Sequence, residues 1–158
     1  MNREFKDAIE NSPIIAAIKN DAELHQCLTC DSRVIFILYG DICNIADIVD
    51  TVKSAGKIAL VHLDLIGGLN AKEIAVDFIK KYTRADGIIS TRPQLIRHAK
   101  ELSLYTVMRF FVIDSIAYDN IEKQLHAVRP DFIEILPALM PKVISRICDL
   151  SPVPVIAG

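Results

Sequence analysis

Four stretches of the chain set an ionisable side chain inside or at the end of an apolar run: VHLDL at 61–65, GIISTR at 87–92, TVMRFFVID at 106–114 and DFIEILP at 131–137. They carry His62, Asp64, Arg92, Arg109 and Glu134. An unpaired charge in such surroundings costs several kcal/mol or shifts its pKa until it is neutral, so these groups are expected to meet one another or a ligand. Their types suit anion chemistry. Arg92 precedes Pro93, a residue suited to the first turn of a helix, so its guanidinium stands where a helix N-terminus also attracts negative charge. Arg109, flanked by Met108 and Phe110, needs a partner, and Glu134 in the next apolar run is the natural one. A structural salt bridge and a ligand-binding pair are both open to these two residues.

His62 and Asp64 are two apart, so on a strand they project to one side, where the carboxylate would hold the imidazole charged or fix its tautomer. Gly67 and Gly68 follow at once and allow backbone N–H groups to approach a ligand closely. Lys19, at the end of the first apolar run, would add a further positive charge. Together these groups suit a phosphate or a polyol hydroxyl. No catalytic residue is assigned, because the chain has no G-x-S-x-G elbow, no H-E-x-x-H, no P-loop and no lysine in the middle of a strand. Asp64 and Glu134 could serve as acid and base, which keeps an alternative open: a barrel isomerase, lyase or phosphodiesterase acting on a small phosphorylated polyol. No metal site or cofactor is expected either. Cys27 and Cys30 have only His25 nearby, and two thiols three apart are expected to pack from one helix face against the sheet.

Seven strand-like runs position these groups, at about 13–18, 33–40, 57–65, 86–91, 104–113, 131–136 and 152–157. Segments of helical spacing lie between them. In the stretch from Asn70 to Tyr82, Ile74, Phe78 and Tyr82 share a stripe expected to face the core, with Lys72, Glu73, Lys80 and Lys81 facing away. Asn70 and Glu73 have the spacing of a capping box that would start this helix. Gly56 reads as the end of the helix before it. Strands recurring every 20 to 30 residues or so match the length of a right-handed βαβ crossover, so neighbours should be parallel. The polar residues are spread over many strands, and no G-x-G-x-x-G follows the first one. Both features favour a TIM (β/α)8-like barrel over a doubly wound sheet.

At 158 residues the chain suits one domain, taken as a single (β/α) barrel over 1–158 that ends after strand 7 and lacks the last β/α unit. Such a sheet would leave two unpaired edges, so a further segment or another closure is expected. With 51% apolar residues and a charged N-terminus, MNREFKDAIENS, it reads as a folded cytoplasmic protein without a membrane span. A net charge of −2 gives no general attraction to polyanions. Only residues 77–100 are basic, carrying Lys80, Lys81, Arg84, Arg92, Arg97 and Lys100 against Asp77 and Asp86. A solvated helix face is the plain explanation of that run; a nucleic-acid contact is the other.

The succession SPIIAAIKN, VHLDLIGGL, GIISTRPQLI, MRFFVIDS, RPDFIEILPALMP and PVPVIAG, from Ser12 to Gly158, resembles the glycerol-3-phosphate-responsive antiterminator family, the glycerol uptake operon antiterminator regulatory proteins. The resemblance implies a TIM-barrel-like cytoplasmic bacterial regulator rather than an enzyme. It implies binding of glycerol 3-phosphate, or a similar small anion, and action on leader mRNA of glycerol-utilisation genes so that transcription passes a terminator. The ligand site would draw on Lys19, His62, Asp64, Gly67, Gly68, Arg92, Arg109, Glu134 and Gly158, and the RNA contact on Lys80, Lys81, Arg84, Arg97 and Lys100. Assembly into a homo-oligomer is left open. Family members continue past the position of Gly158 into the region that usually grips phosphate in such barrels, so phosphate affinity is expected to be weak in a chain ending there.

Overall fold

The seven apolar runs form seven parallel strands that pair in sequence order, as seen in a computed structural model that describes residues 3–158. They are β1 (Ala16–Ile18), β2 (Val34–Ile37), β3 (Ile58–His62), β4 (Gly87–Ser90), β5 (Tyr105–Phe111), β6 (Phe132–Leu136) and β7 (Val155–Ala157). Sequential order without reversal is the winding of a barrel, and the sheet curls into an open half-barrel with helices on its convex side. Helix α1 (Arg3–Asn11) precedes β1, and α2 (Asp21–Cys27), α3 (Ile45–Ser54), α4 (Glu73–Tyr82), α5 (Pro93–Glu101), α6 (Ser115–Val128) and α7 (Pro141–Leu150) connect successive strands. Among the described residues β1 pairs only with β2 and β7 only with β6, so the expected alternative closure of the sheet is not made.

Strand alternation divides the core in two. Ile35, Ile37, Ala59, Val61, Ile88, Met108, Ile133 and Ile135 face the helices, while Val34, Phe36, Ile58, Leu60, Ile89, Val107 and Phe132 face the concave interior. The interior layer is completed by the charged N-terminal segment. Helix α1 turns Phe5 and Ala8 inward, and Phe5 stacks on Tyr105 with ring centroids 4.6 Å apart and meets Phe132 edge-on at 5.0 Å. Tyr105 and Phe132 open their strands, so α1 plugs the amino-terminal end of the half-barrel. Gly87 is required where β4 meets β5: a Cβ there would lie 2.4 Å from the Tyr105 carbonyl oxygen.

Local signals met mixed outcomes. Pro93 does stand in the first turn of α5, and Gly56, at φ +74°, follows the end of α3 with its N–H bonded to the Lys53 carbonyl. The capping box at Asn70 does not form: α4 begins at Glu73 behind Lys72, without a side-chain cap. The same Asn-x-x-Glu spacing works instead at Asn20 and Glu23, where the Asn20 side chain accepts from the Glu23 amide at 2.9 Å and donates to the Glu23 carboxylate at 3.1 Å. The buried face of α4 is Ala75, Val76 and Ile79. Ile74 and Tyr82 are therefore exposed, at 63% and 59%, contrary to the expectation that their stripe faces the core. A helix has room for two apolar stripes, and the smaller side chains fit closer to the sheet. Cys27 and Cys30 do not share a helix face, since α2 ends at Cys27. Cys27 is buried, and Cys30 lies in the following turn, where Lys57 donates to its carbonyl at 2.7 Å.

Candidate functional site

The alternation that turns Leu60, Val107 and Phe132 inward turns His62, Arg109 and Glu134 inward two residues later, toward the carboxyl ends of the strands. Arg109 and Glu134 are register partners across β5 and β6. Arg109 Nε donates to Glu134 Oε2 at 2.6 Å and Nη2 donates to Oε1 at 3.2 Å, with the residues only 8% and 5% exposed. The pairing anticipated from the sequence is thus made, side-on. That geometry occupies the Nε edge of the guanidinium and leaves Nη1 without a partner among the described residues.

Both residues line a cavity of about 1020 Å³ on the concave face. Its lining includes Ile15, Lys19, Phe36, Leu38, Phe132 and Ile156. The Lys19 amide donates to the Glu23 carboxylate at 2.7 Å, which fixes its backbone. Gly158 also lines the cavity, and a Cβ at Gly158 would lie 2.6 Å from Glu134 Oε1. Its N–H bonds the Ile135 carbonyl at 2.9 Å, holding the chain against the carboxylate.

His62 ends β3, is 3% exposed, and its Nδ1 is the only fully buried side-chain polar atom among the described residues without a hydrogen-bond partner. Burial first, and the Arg109 charge second, pull its pKa down to about 4, while Asp64 opposes them. At neutral pH the ring is uncharged, so the expected His62–Asp64 pair with a charged imidazole is not present. The cause is local. The strand stops at His62, and Leu63–Leu65 form a 3-10 turn that carries Asp64 away from the strand repeat.

Asp64 is engaged elsewhere. It accepts from the Ser90 hydroxyl at 3.0 Å, the Thr91 amide at 2.9 Å and the Thr91 hydroxyl at 3.1 Å, and lies 3.5 Å from Arg92 Nε. Arg92 is half-exposed and stands beside the N-terminus of α5 as expected, at the N-cap position but without a side-chain capping bond. Ser90 and Thr91, which the sequence reading does not assign to the site, are the groups that hold Asp64. Two consecutive hydroxyls at a strand end, immediately before Arg92, were the available signal. The glycine loop also differs from expectation: Gly67 N–H bonds the Gly40 carbonyl at 2.9 Å, so it is not offered to a ligand. Gly68, at φ +83°, packs against Ile42. The anticipated residues therefore form a cavity group of Lys19, Arg109, Glu134 and Gly158 and a separate group of Asp64 and Arg92, which do not line the cavity. His62 feels the charge of both Arg109 and Asp64.

The basic residues occupy a separate place. Lys80 and Lys81 lie in the last turn of α4, Arg84 follows it, and Arg97 and Lys100 are exposed on α5. Arg84 lies 3.6 Å from Asp50, and Lys100 donates to the Arg129 carbonyl. His98 ties the two helices together through Asp77 at 2.8 Å, a hydrogen bond that raises its pKa. No group of three or more metal-ligating side chains occurs among the described residues, and no helix there is long and apolar enough to cross a membrane.

Comparison with known proteins gives a consistent result. The family described as "Glycerol-3-phosphate responsive antiterminator" matches residues 14–158. A curated protein of Escherichia coli (strain K12), "Uncharacterized protein YgcP", is 41% identical over 150 residues, covering 95% of this chain and 78% of its own. The crystal structure of a glycerol uptake operon antiterminator regulatory protein from Listeria monocytogenes aligns with a TM-score of 0.87 and 33% identity, over 91% of this chain and 78% of that one. An antiterminator-related protein from Thermotoga maritima aligns at 0.78 and 34%, over 90% and 80%. A U32 peptidase aligns at 0.64 with 17% identity, over 89% and 66%, a likeness of fold alone.

Proposed function

This chain belongs to the glycerol-3-phosphate responsive antiterminator family, and from that premise we propose that it is a cytoplasmic regulator that binds glycerol 3-phosphate in the concave cavity and acts on leader RNA of glycerol-utilisation genes. The observation that carries the reading is Arg109: a guanidinium locked on one edge by Glu134, with its other edge unpartnered in a cavity. A preorganised charged donor of this kind favours an anion, because little side-chain freedom is lost when the anion arrives. Glu134 offers acceptors for hydroxyl groups and Lys19 adds positive charge among the lining residues, while His62, near enough to feel the Arg109 charge, and Arg92, held beside Asp64, stand outside the cavity lining. The role is that of a sensor rather than a catalyst, over residues 1–158 taken as one (β/α) unit. Gly158 keeps the Glu134 carboxylate uncrowded. Asp64 holds the 90–92 segment, and Gly67 and Gly68 shape the loop packed on Ile42. RNA would meet the exposed cations Lys80, Lys81, Arg84, Arg97 and Lys100.

Titration calorimetry with glycerol 3-phosphate and with glycerol tests the reading. Wild-type protein should bind the phosphate ester and not glycerol. Arg109→Gln should weaken binding by roughly 10- to 150-fold, the equivalent of a charge-assisted hydrogen bond of about 1.5–3 kcal/mol. Equal affinity for the two compounds, or no heat for the folded protein at millimolar ligand, would overturn it.

A further inference from the structure

The stripe that the sequence assigns to the core stands in solvent. On α4, Ile74 and Tyr82 are 63% and 59% exposed, Phe78 is half-buried between them, and the Phe78 and Tyr82 rings lie 5.3 Å apart at 38°. No protein group accepts from or donates to the Tyr82 hydroxyl among the described residues. The basic residues of α4 fall in its last turn, and one of them reaches this ring. Lys80 and Lys81 precede it, Arg84 follows two residues on in an exposed pair with Asp50, and Lys81 Nζ lies 5.2 Å from the Tyr82 ring centroid. An exposed aromatic face with one cation at the ring and two more close by in sequence has the two elements that hold single-stranded nucleic acid: a platform for one base and counter-charges for the neighbouring phosphates. A protein partner with an apolar surface would gain nothing from the cations, whereas a polyanion with flat bases uses both.

We propose that Tyr82, backed by Phe78 and with Lys81 at its ring, is a base-stacking platform for unpaired RNA, with Lys80 and Arg84 as nearby counter-charges. The inference rests on the reading of this chain as an RNA-acting regulator and adds the surface, the mode of contact and the strandedness of the target. A base stacked on the free face, with Lys81 moved onto a phosphate, replaces one cation–ring contact by a stacking contact and an ion pair. The α4–α5 tie through His98 and Asp77 keeps the platform in fixed relation to Arg97 and Lys100 on the next helix. Double-stranded RNA presents phosphates to the cations but no accessible base face to the ring.

Fluorescence anisotropy of the full chain with a labelled unpaired RNA of mixed sequence and with a blunt RNA duplex, at fixed low salt, decides the matter. Tyr82→Ala should weaken binding of the unpaired RNA by about 5- to 150-fold, the range of one stacked base, and leave the duplex unchanged. Tyr82→Phe should restore binding to within about twofold. The double variant K80A/K81A should weaken both RNAs and flatten the salt dependence by about two counterions. Retained affinity in Tyr82→Ala, with wild type binding normally, would sink the platform and leave the regulatory reading standing. Failure of wild type to bind any RNA would overturn both. Concentration-dependent self-association in sedimentation, abolished by Tyr82→Ala, would mark the stripe as a contact between copies instead and overturn the platform.

Discussion

Arg109 and Glu134 have opposite consequences depending on whether one or both are removed. Arg109→Ala strands a carboxylate that is 5% exposed, and should cost about 3–5 kcal/mol in urea unfolding as well as the ligand response. Replacing both by apolar residues of similar volume removes the buried charges together; stability should then be unchanged or higher while ligand binding is lost. That contrast separates a functional pair from a stabilising one. His62 makes a second prediction. Its folded pKa, about 4, lies below the unfolded value of about 6.5, so the unfolded chain takes up the proton first. Stability contributed by the neutral ring is fully present above pH 6.5 or so, is lost as pH falls, and levels off below about pH 4. The total is on the order of 3 kcal/mol. Urea midpoints from pH 7 to pH 4 should show this slope, and His62→Leu should flatten it.

At the scale of elements, short signals succeeded where they needed only their own neighbours. Pro93 starts α5 and Gly56 follows α3 because fixed φ and freedom at positive φ are properties of single residues. Asn-x-x-Glu succeeded at Asn20 and failed at Asn70, since capping also requires that the chain enter the helix at that residue. The 3-10 turn that displaces Asp64 was equally illegible, because LDL continues the apolar pattern of VHL. Helix α1 shows the same limit: REFKDAIEN is mostly charged, yet Phe5 and Ala8 are fully buried beneath the strands. Phe5→Ala should cost about 3–5 kcal/mol by thermal or chemical unfolding, as for other large aromatic deletions in a core. Lys6→Ala, on the half-buried side of the same helix in a weak exposed pair with Glu10, should change stability far less.

Across the whole molecule, the two proposed contacts lie at opposite ends. Helices that return antiparallel to the strands place the end of α4, and with it Tyr82, Lys80 and Lys81, near the strands' amino ends, whereas Arg92 and the 3-10 turn mark the carboxyl ends. Any coupling between ligand and RNA must therefore cross the sheet, and linkage requires it to be reciprocal. The factor by which glycerol 3-phosphate alters RNA affinity should equal the factor by which RNA alters glycerol 3-phosphate affinity, measured by anisotropy and calorimetry on the same preparation. Unequal factors would show that one of the two is not binding the folded chain at a single site. The succession of seven apolar runs was sufficient to anticipate a parallel, sequentially ordered sheet, because period and spacing are carried along the chain itself. Arg109 and Glu134 were legible as partners for a related reason: both interrupt apolar strands, and a buried charge demands an opposite one. Only the folded structure decided which apolar stripe of α4 is covered, that His62 stays neutral and unpaired while Asp64 serves Ser90 and Thr91, and that Gly158 abuts Glu134. Each of these depends on what another segment brings to the same place, and that information resides in three-dimensional packing rather than in local pattern.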